Sequence, residues 1–474
     1  MRAAAVAAVI ALAGCGDDGV VLRPIIELPP ASSDAYPLGA VDELELSVAP
    51  AGDDGNLASK TGTVDSLPTL EAVPFGEDLV LHLNGTALGV PIAYGRSCAL
   101  DVSAQLPEEE LSPHIYFSRI VKWGPAPDPF VPGRIDAHSY AIDTGLAVFV
   151  GGGADIDDVE VFDAYSGRFE LLSNTVTGRS GALLEAFPDG RALVVGGADD
   201  GGAMVQVAEV IDTRDGSIAT LDDVAPQLVG HAGVTLVDGS IVVAGGETPA
   251  GVTGKAWKYS FGTGDVLQQL ELPASEALLV PRADHTMTRL GDEVGADVLV
   301  IGGRGDAGAP VAEVELYRPL REAFEPIDEP AFAFPRWGHR AVRMPGGFVL
   351  VIGGSDDAGP VRELELYDPA QGVFIGAGEM PLAAGLTELA ATPLADGRVL
   401  LSGGRDLDGN PTSGVFIARL DPIDGRVVIV PTDAMAIARA GHTAVRLCDG
   451  TIMVVGGAAG AGAERYNPPA FGRR

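Results

Sequence analysis

The chain has 474 residues, 66 Asp and Glu against 31 Lys and Arg, and a formal net charge of −35. That balance excludes a nucleic-acid partner, whose phosphates require clustered cations, and it disfavours adhesion to anionic lipid by surface charge. With 64 Gly, 34 Pro and 6% aromatic residues the composition is that of a turn-rich β protein, and no apolar run reaches the ~20 residues of a membrane-spanning helix.

Residues 1–15 differ in kind from the rest. Met1-Arg2, an Ala/Val/Ile/Leu run and Leu12-Ala13-Gly14-Cys15 resemble a bacterial lipoprotein signal. The resemblance implies a signal peptide ending at an acylated Cys15 and a lipid-anchored location in the cell envelope. Gly16 after the cysteine points to the outer membrane. Residues 16–42, with Pro24, Pro29, Pro30 and Pro37, read as a tether. Residues 43–113 carry short alternating runs (Leu44 to Val48, Leu79 to Leu83, Val90 to Tyr94), which predict a small β-rich domain. His114 to Trp123 reads as an isolated strand.

From there the chain repeats itself. Apolar runs end in paired glycines whose first members are Gly151, Gly196, Gly245, Gly302, Gly353, Gly403 and Gly456, at intervals of 45 to 57 residues. A run that apolar must be buried on both faces, which a single copy cannot do and stacked copies can. Six pairs have a glycine six residues upstream, as a tight hairpin requires. Downstream, large apolar residues recur seven apart: Phe162/Phe169, Ile211/Ile218, Tyr259/Val266, Tyr317/Phe324, Tyr367/Phe374 and Leu420/Val427. Each copy is therefore predicted to hold four antiparallel strands. The fourth copy carries an insert, Gly291 to Gly295.

Over residues 114–474 these motifs resemble the kelch family, whose repeats pair a double glycine with a Tyr-like and a Trp-like position. The resemblance implies a seven-bladed kelch-type β-propeller, each copy one blade, with six blades as the alternative. Phe, Val or Ile replaces the usual Trp. The seventh copy stops after Tyr466-Asn467 without room for a fourth strand, so strand 115–123 is expected to complete it and close the ring.

Cys98 and Cys448 remain besides Cys15. In an oxidising envelope they read either as a disulfide, with Cys448 on the first hairpin turn of blade seven, or as two free thiols. At the start of the innermost strands stand Arg134, Arg179, Arg282, Arg336 and Arg439, with Leu228 and Leu386 in the other two copies. His231, His285, His339 and His442 follow three residues on, with His138 out of step. The arginines read either as ligand-binding cations at the mouth of a central channel, suited to carboxylate, phosphate or acidic glycan, or as forks holding carbonyls between blades. The histidines read as packing between strands. Trp337, the one aromatic on that face placed to stack on a sugar, reads either so or as packing between blades.

The loops after the double glycines are acidic, and Asp406 to Asn410 comes nearest to a calcium loop but lacks its bidentate Glu. No metal or other cofactor is expected. Sequence fingerprints of hydrolases, metalloproteases and nucleotide enzymes are absent. The leading expectation is a non-catalytic scaffold engaging protein or glycan through the loop face. The rival is a sugar-modifying enzyme at the channel mouth, since kelch-like propellers include sugar oxidases and sialic-acid epimerases. Neither Cys98 nor Cys448 lies in the Tyr/His cluster that the oxidases use.

Overall fold

The computed structural model describes residues 20–52, 55–103, 112–141, 145–153, 156–221, 225–263, 266–327, 332–421 and 425–469. Cys15 and the signal segment lie outside the described residues. The described chain is all-β. Residues 137–467, joined by the strand Lys122–Pro125, form four-stranded antiparallel sheets, seven among the described residues. This is an arrangement consistent with a β-propeller.

Each sheet is built as the repeat predicts. In the fifth, Arg340–Arg343, Val349–Ile352, Glu363–Asp368 and Val373–Glu379 pair in that order. The second strand is buried in every sheet, with only Leu146 at the start of the first one partly exposed, and its side chains alternate between two neighbouring cores. In the fifth sheet Val349 and Val351 pack toward the fourth sheet, and Leu350 and Ile352 toward the sixth. The first strand of each sheet lies against the first strand of the next, and that of the last lies against that of the first. In six of the seven double glycines the second N–H reaches the neighbouring sheet: Gly303 donates to Arg336 O (2.9 Å), Gly404 to Arg439 O (2.8 Å) and Gly457 to Arg134 O (2.6 Å).

Five of the six expected seven-apart pairs face each other at the outer hairpin, for example Tyr367 opposite Phe374. In the third and sixth sheets this hairpin is longer. Tyr259 faces Gln269, not Val266, and Leu420, which does face Val427, lies two residues beyond the Tyr-like position, where Ala418 stands opposite Val399.

Two boundaries differ from the sequence reading. The stretch 115–123 is not one strand. His114–Tyr116 pairs in parallel with Ile25–Glu27, and Ser118–Arg119 pairs with Val90–Arg96. Ile115 and Phe117, both fully buried, alternate into the N-terminal core and hold this part there. Val121 then turns the chain at φ 61°, and Lys122–Pro125 becomes the outer strand beside Glu464–Asn467. Trp123 sits opposite Tyr466, ring centroids 5.0 Å apart, and supplies the aromatic partner the seventh copy lacks.

The second correction concerns residues 16–42. Val20–Leu22 pairs with Leu70–Val73, and Leu22 is buried in the N-terminal core, so this part is not a free tether. The main N-terminal sheet runs Ser118–Arg119, Val90–Arg96, Gly76–Ala87, Glu43–Pro50, Ala58–Gly62.

This unit is fastened to the turn side of the seventh and first sheets. Cys98 and Cys448 form a disulfide, Cα atoms 5.0 Å apart. Arg96 donates to Cys448 O (2.8 Å), and Asn467 Nδ2 to Tyr94 O (2.7 Å). Arg465, buried, pairs with Asp449, lies 3.6 Å from Glu27 and stacks over Tyr116 at 4.1 Å.

Candidate functional site

The five arginines occupy equivalent positions and none faces solvent. Arg134, Arg179, Arg282, Arg336 and Arg439 are 0% exposed. Each reaches the carbonyl of its own sheet's first paired glycine: Gly151 (2.5 Å), Gly196 (3.1 Å), Gly302 (3.1 Å), Gly353 (3.3 Å) and Gly456 (2.6 Å). Each also meets a buried glutamate, respectively Glu160 (2.9 Å), Glu209, Glu315 (2.7 Å), Glu365 (3.4 Å) and Glu464 (3.0 Å). The glutamates in turn accept backbone N–H groups from the segment entering the sheet, such as Ala333 on Glu365 (2.8 Å) and Thr177 on Glu209 (2.8 Å). Burial draws the guanidiniums of Arg134, Arg179 and Arg282 down, and that of Arg336 to about 10, where it stays charged at neutral pH.

The ligand-binding reading of these arginines is therefore corrected. Their forks are directed inward onto carbonyls and carboxylates, which is what a fixed five-donor group does when no water replaces its partners. The glutamates were missed from sequence, although each stands two residues before the Tyr-like position (Phe162, Ile211, Tyr317, Tyr367, Tyr466). In the third and sixth sheets both members change together: Leu228 with Trp257, and Leu386 with Phe416, all buried.

The histidines pack between sheets. A Cβ on Gly196, Gly245, Gly302 or Gly403 would come within 2.3, 2.6, 2.6 and 2.7 Å of Cε1 of His231, His285, His339 and His442, so only glycine fits beneath these rings. Nε2 of His339 and His442 meet the hydroxyls of Thr286 (2.9 Å) and Ser402 (2.8 Å). Burial lowers the four: His231 to about 4, His339 and His442 to about 3, and His285 well below its usual value. They are neutral at physiological pH. Trp337 is half-buried, and its backbone bridges to Ser355, N–H to O 2.9 Å.

The acidic loops spend their carboxylates locally. Asp406 Oδ1 accepts the N–H groups of Asp408 (3.0 Å) and Asn410 (2.9 Å), and Asp199 Oδ1 those of Gly201 and Ala203 (both 2.9 Å). Among the described residues no group of three His, Cys, Asp or Glu is placed to hold a metal.

What remains for chemistry lies along the first strands. Near their starts, Asp136, Asp284 and Glu388 take left-handed backbone conformations (φ 53°, 56°, 51°) where other copies have Gly181, Gly230, Gly338 and Gly441. Such strain in non-glycine residues concentrates at functional positions. Arg304 ties Asp284 (2.6 Å) to Glu247 (3.0 Å), and Arg405 binds Glu388 (2.8 Å). Arg340 donates Nε to Leu389 O (3.0 Å), and its charge acts on Asp136, whose carboxyl burial and Glu388 push upward.

Toward the turn side the first strands of five sheets line a cavity of about 310 Å³, containing Tyr140, Glu185, Thr235, Thr288, Arg289 and Arg343. Burial raises Glu185 to about 7, opposed by the Thr235 hydroxyl (2.8 Å) and by Arg289.

No family model and no curated protein matches the chain. Among solved structures, the one titled "Structure of YjhT" is similar at a TM-score of 0.48 and 15% identity, over 64% of this chain and 99% of that chain. A likeness of that size carries no argument about fold or activity. No helix among the described residues is long and apolar enough to cross a membrane.

Proposed function

We propose that the chain is a kelch-type propeller of seven blades, closed by Lys122–Pro125, held in the bacterial outer membrane through an acylated Cys15. Its function is that of a non-catalytic scaffold binding a protein or glycan on the loop face. The cyclic adjacency of the first strands and the Gly457 to Arg134 bond support the closed ring.

One observation carries the binding role. With the arginines turned inward, the loop face presents exposed apolar side chains, Phe130 (59%), Leu279 (53%), Phe334 (38%), Leu407 (64%) and Ile437 (38%), interspersed with Asp157, Asp199, Asp357 and Asp408. Apolar groups rimmed by polar ones mark interaction surfaces. Segments bearing them are tied down: Leu279 N–H donates to Glu315 Oε2 (2.8 Å), Ile437 N–H to Glu464 Oε1 (3.3 Å), and Arg405, two residues before Leu407, to Gly409 O (3.1 Å). A surface ordered before binding loses little entropy on association.

The test is capture of partners by the mature protein from its own envelope, repeated with Phe334→Asp and Leu407→Asp combined. The double variant should melt like the parent and lose the captured partner. Capture unchanged by it would refute the proposal. Membrane attachment is checked separately: Cys15→Ala should abolish acylation, and the protein should leave the membrane fraction.

A second reading, catalysis within the axial channel, is favoured by one feature, the near-neutral Glu185 carboxyl in the cavity. Oxidation or epimerisation of sugars by the parent but not by Glu185→Gln would favour it.

A further inference from the structure

The cavity around Glu185 contains an arrangement that the loop-face role does not use. Asp292 belongs to the insert between Gly291 and Gly295 that the fourth copy alone carries. Its Oδ1 accepts Nη1 of Arg343 (2.7 Å) and faces Nη2 of Arg289 at 3.4 Å. Nη1 of Arg289 donates to Thr235 O (3.0 Å), which fixes that guanidinium against the cavity wall. Two cations thus share one oxygen of a single carboxylate that is itself 71% exposed. Such a pair is held weakly. While Glu185 holds its proton, Arg289, Arg343 and Asp292 together leave a surplus of one positive charge, in a chain whose net charge is −35.

We propose that this cavity binds a small carboxylate, whose charged group displaces Asp292 and takes the place between Arg289 and Arg343. A carboxylate is the group these two guanidiniums already hold in Asp292, and its plane matches their edges. Thr235 and Thr288 supply hydroxyls, and Met287, Val234 and Ala341 supply an apolar wall. The volume is at the small end for ligand pockets, so the occupant is a compact organic acid. Asp292 is the chain's own carboxylate on these two guanidiniums, and the insert is its carrier.

Glu185 modulates the site. It lines the same cavity as Tyr140, Arg289 and Arg343. Below pH 7 it holds its proton and adds no charge; above pH 7 it ionises and opposes an incoming anion. The site is separate from the loop face, so either proposal can fail alone.

The experiment is calorimetric titration of the mature full chain with succinate at pH 6 and pH 8, with inorganic phosphate as the contrasting anion. Saturable binding to one site is expected, weaker at pH 8. D292N should bind about two- to fivefold more tightly, the scale of a half-exposed ion pair. R343Q should bind at least about tenfold more weakly, the scale of one charge-assisted hydrogen bond. Overturning results are absence of saturable succinate binding in D292N, affinity in D292N no greater than in the parent, or tighter binding of phosphate than of succinate. Asp292 is exposed, so D292N should fold and keeps the test decisive if R343Q does not.

Discussion

The third and sixth sheets differ from the other five at one buried place. Five sheets hold an arginine and a glutamate there; the third holds Leu228 and Trp257, the sixth Leu386 and Phe416. The backbone continues past both kinds in the same way: Gly246 donates to Arg282 O and Gly354 to Leu386 O. The lesson is that the charged and the apolar pair are alternative solutions to one packing problem. The ionic version satisfies carbonyls and entering N–H groups with side chains; the apolar version fills the volume. A buried ion pair exchanges for an apolar pair at little net cost, but only if both members change.

Breaking one member should therefore have the largest effect. Arg336→Leu strands Glu365 in the interior and is expected to cost about 3–5 kcal/mol in denaturant unfolding. Adding Glu365→Phe, which copies the sixth sheet, should recover most of that loss. A double variant no more stable than the single one would end the comparison. Leu228→Arg alone, the converse exchange, should destabilise on the same scale because Trp257 offers no carboxylate.

Next is the fastening of the N-terminal unit. Cys98→Ser with Cys448→Ser should lower stability by about 2–4 kcal/mol, read as a shift in denaturant midpoint without loss of the strand signal by circular dichroism. The histidines sharpen the comparison by pH. Their folded values lie near 3 to 4, below the unfolded 6.5, so their contribution is intact above pH 6.5 and is lost as pH falls toward 3. The expected slope is up to about 1.4 kcal/mol per pH unit for each histidine. His339→Leu, which imitates Leu389 of the sixth sheet, should flatten it. The smallest effect belongs to Asp433→Ala, which removes the half-exposed partner of Lys122 and should cost no more than about 1 kcal/mol.

The periodic parts of the fold were legible because burial on two faces forces an unbroken apolar run, and the hairpins force glycine at fixed offsets. The arginines were legible as positions, and their role as forks on carbonyls only as one of two alternatives. A Glu two residues before Tyr317 or Tyr367 looks like ordinary strand alternation, and only the cross-strand partner shows that it points inward. The split of 115–123 was hidden because Ile115, Phe117 and Trp123 alternate as one strand would, while the turn at Val121 is set by two different cores pulling on either side. Arg465 contacts Glu27 and Tyr116. Contacts between segments more than 300 residues apart leave no local signature.

The seventh sheet takes its outer strand from Lys122–Pro125 and the other three from the far end of the chain. Those four residues emerge from a ribosome early and find their neighbour only after about 340 further residues, which at roughly 5–20 residues per second means a wait of about 20–70 s. Until then the molecule carries an unpaired edge. The period of greatest exposure to aggregation and proteolysis thus spans the making of all seven sheets.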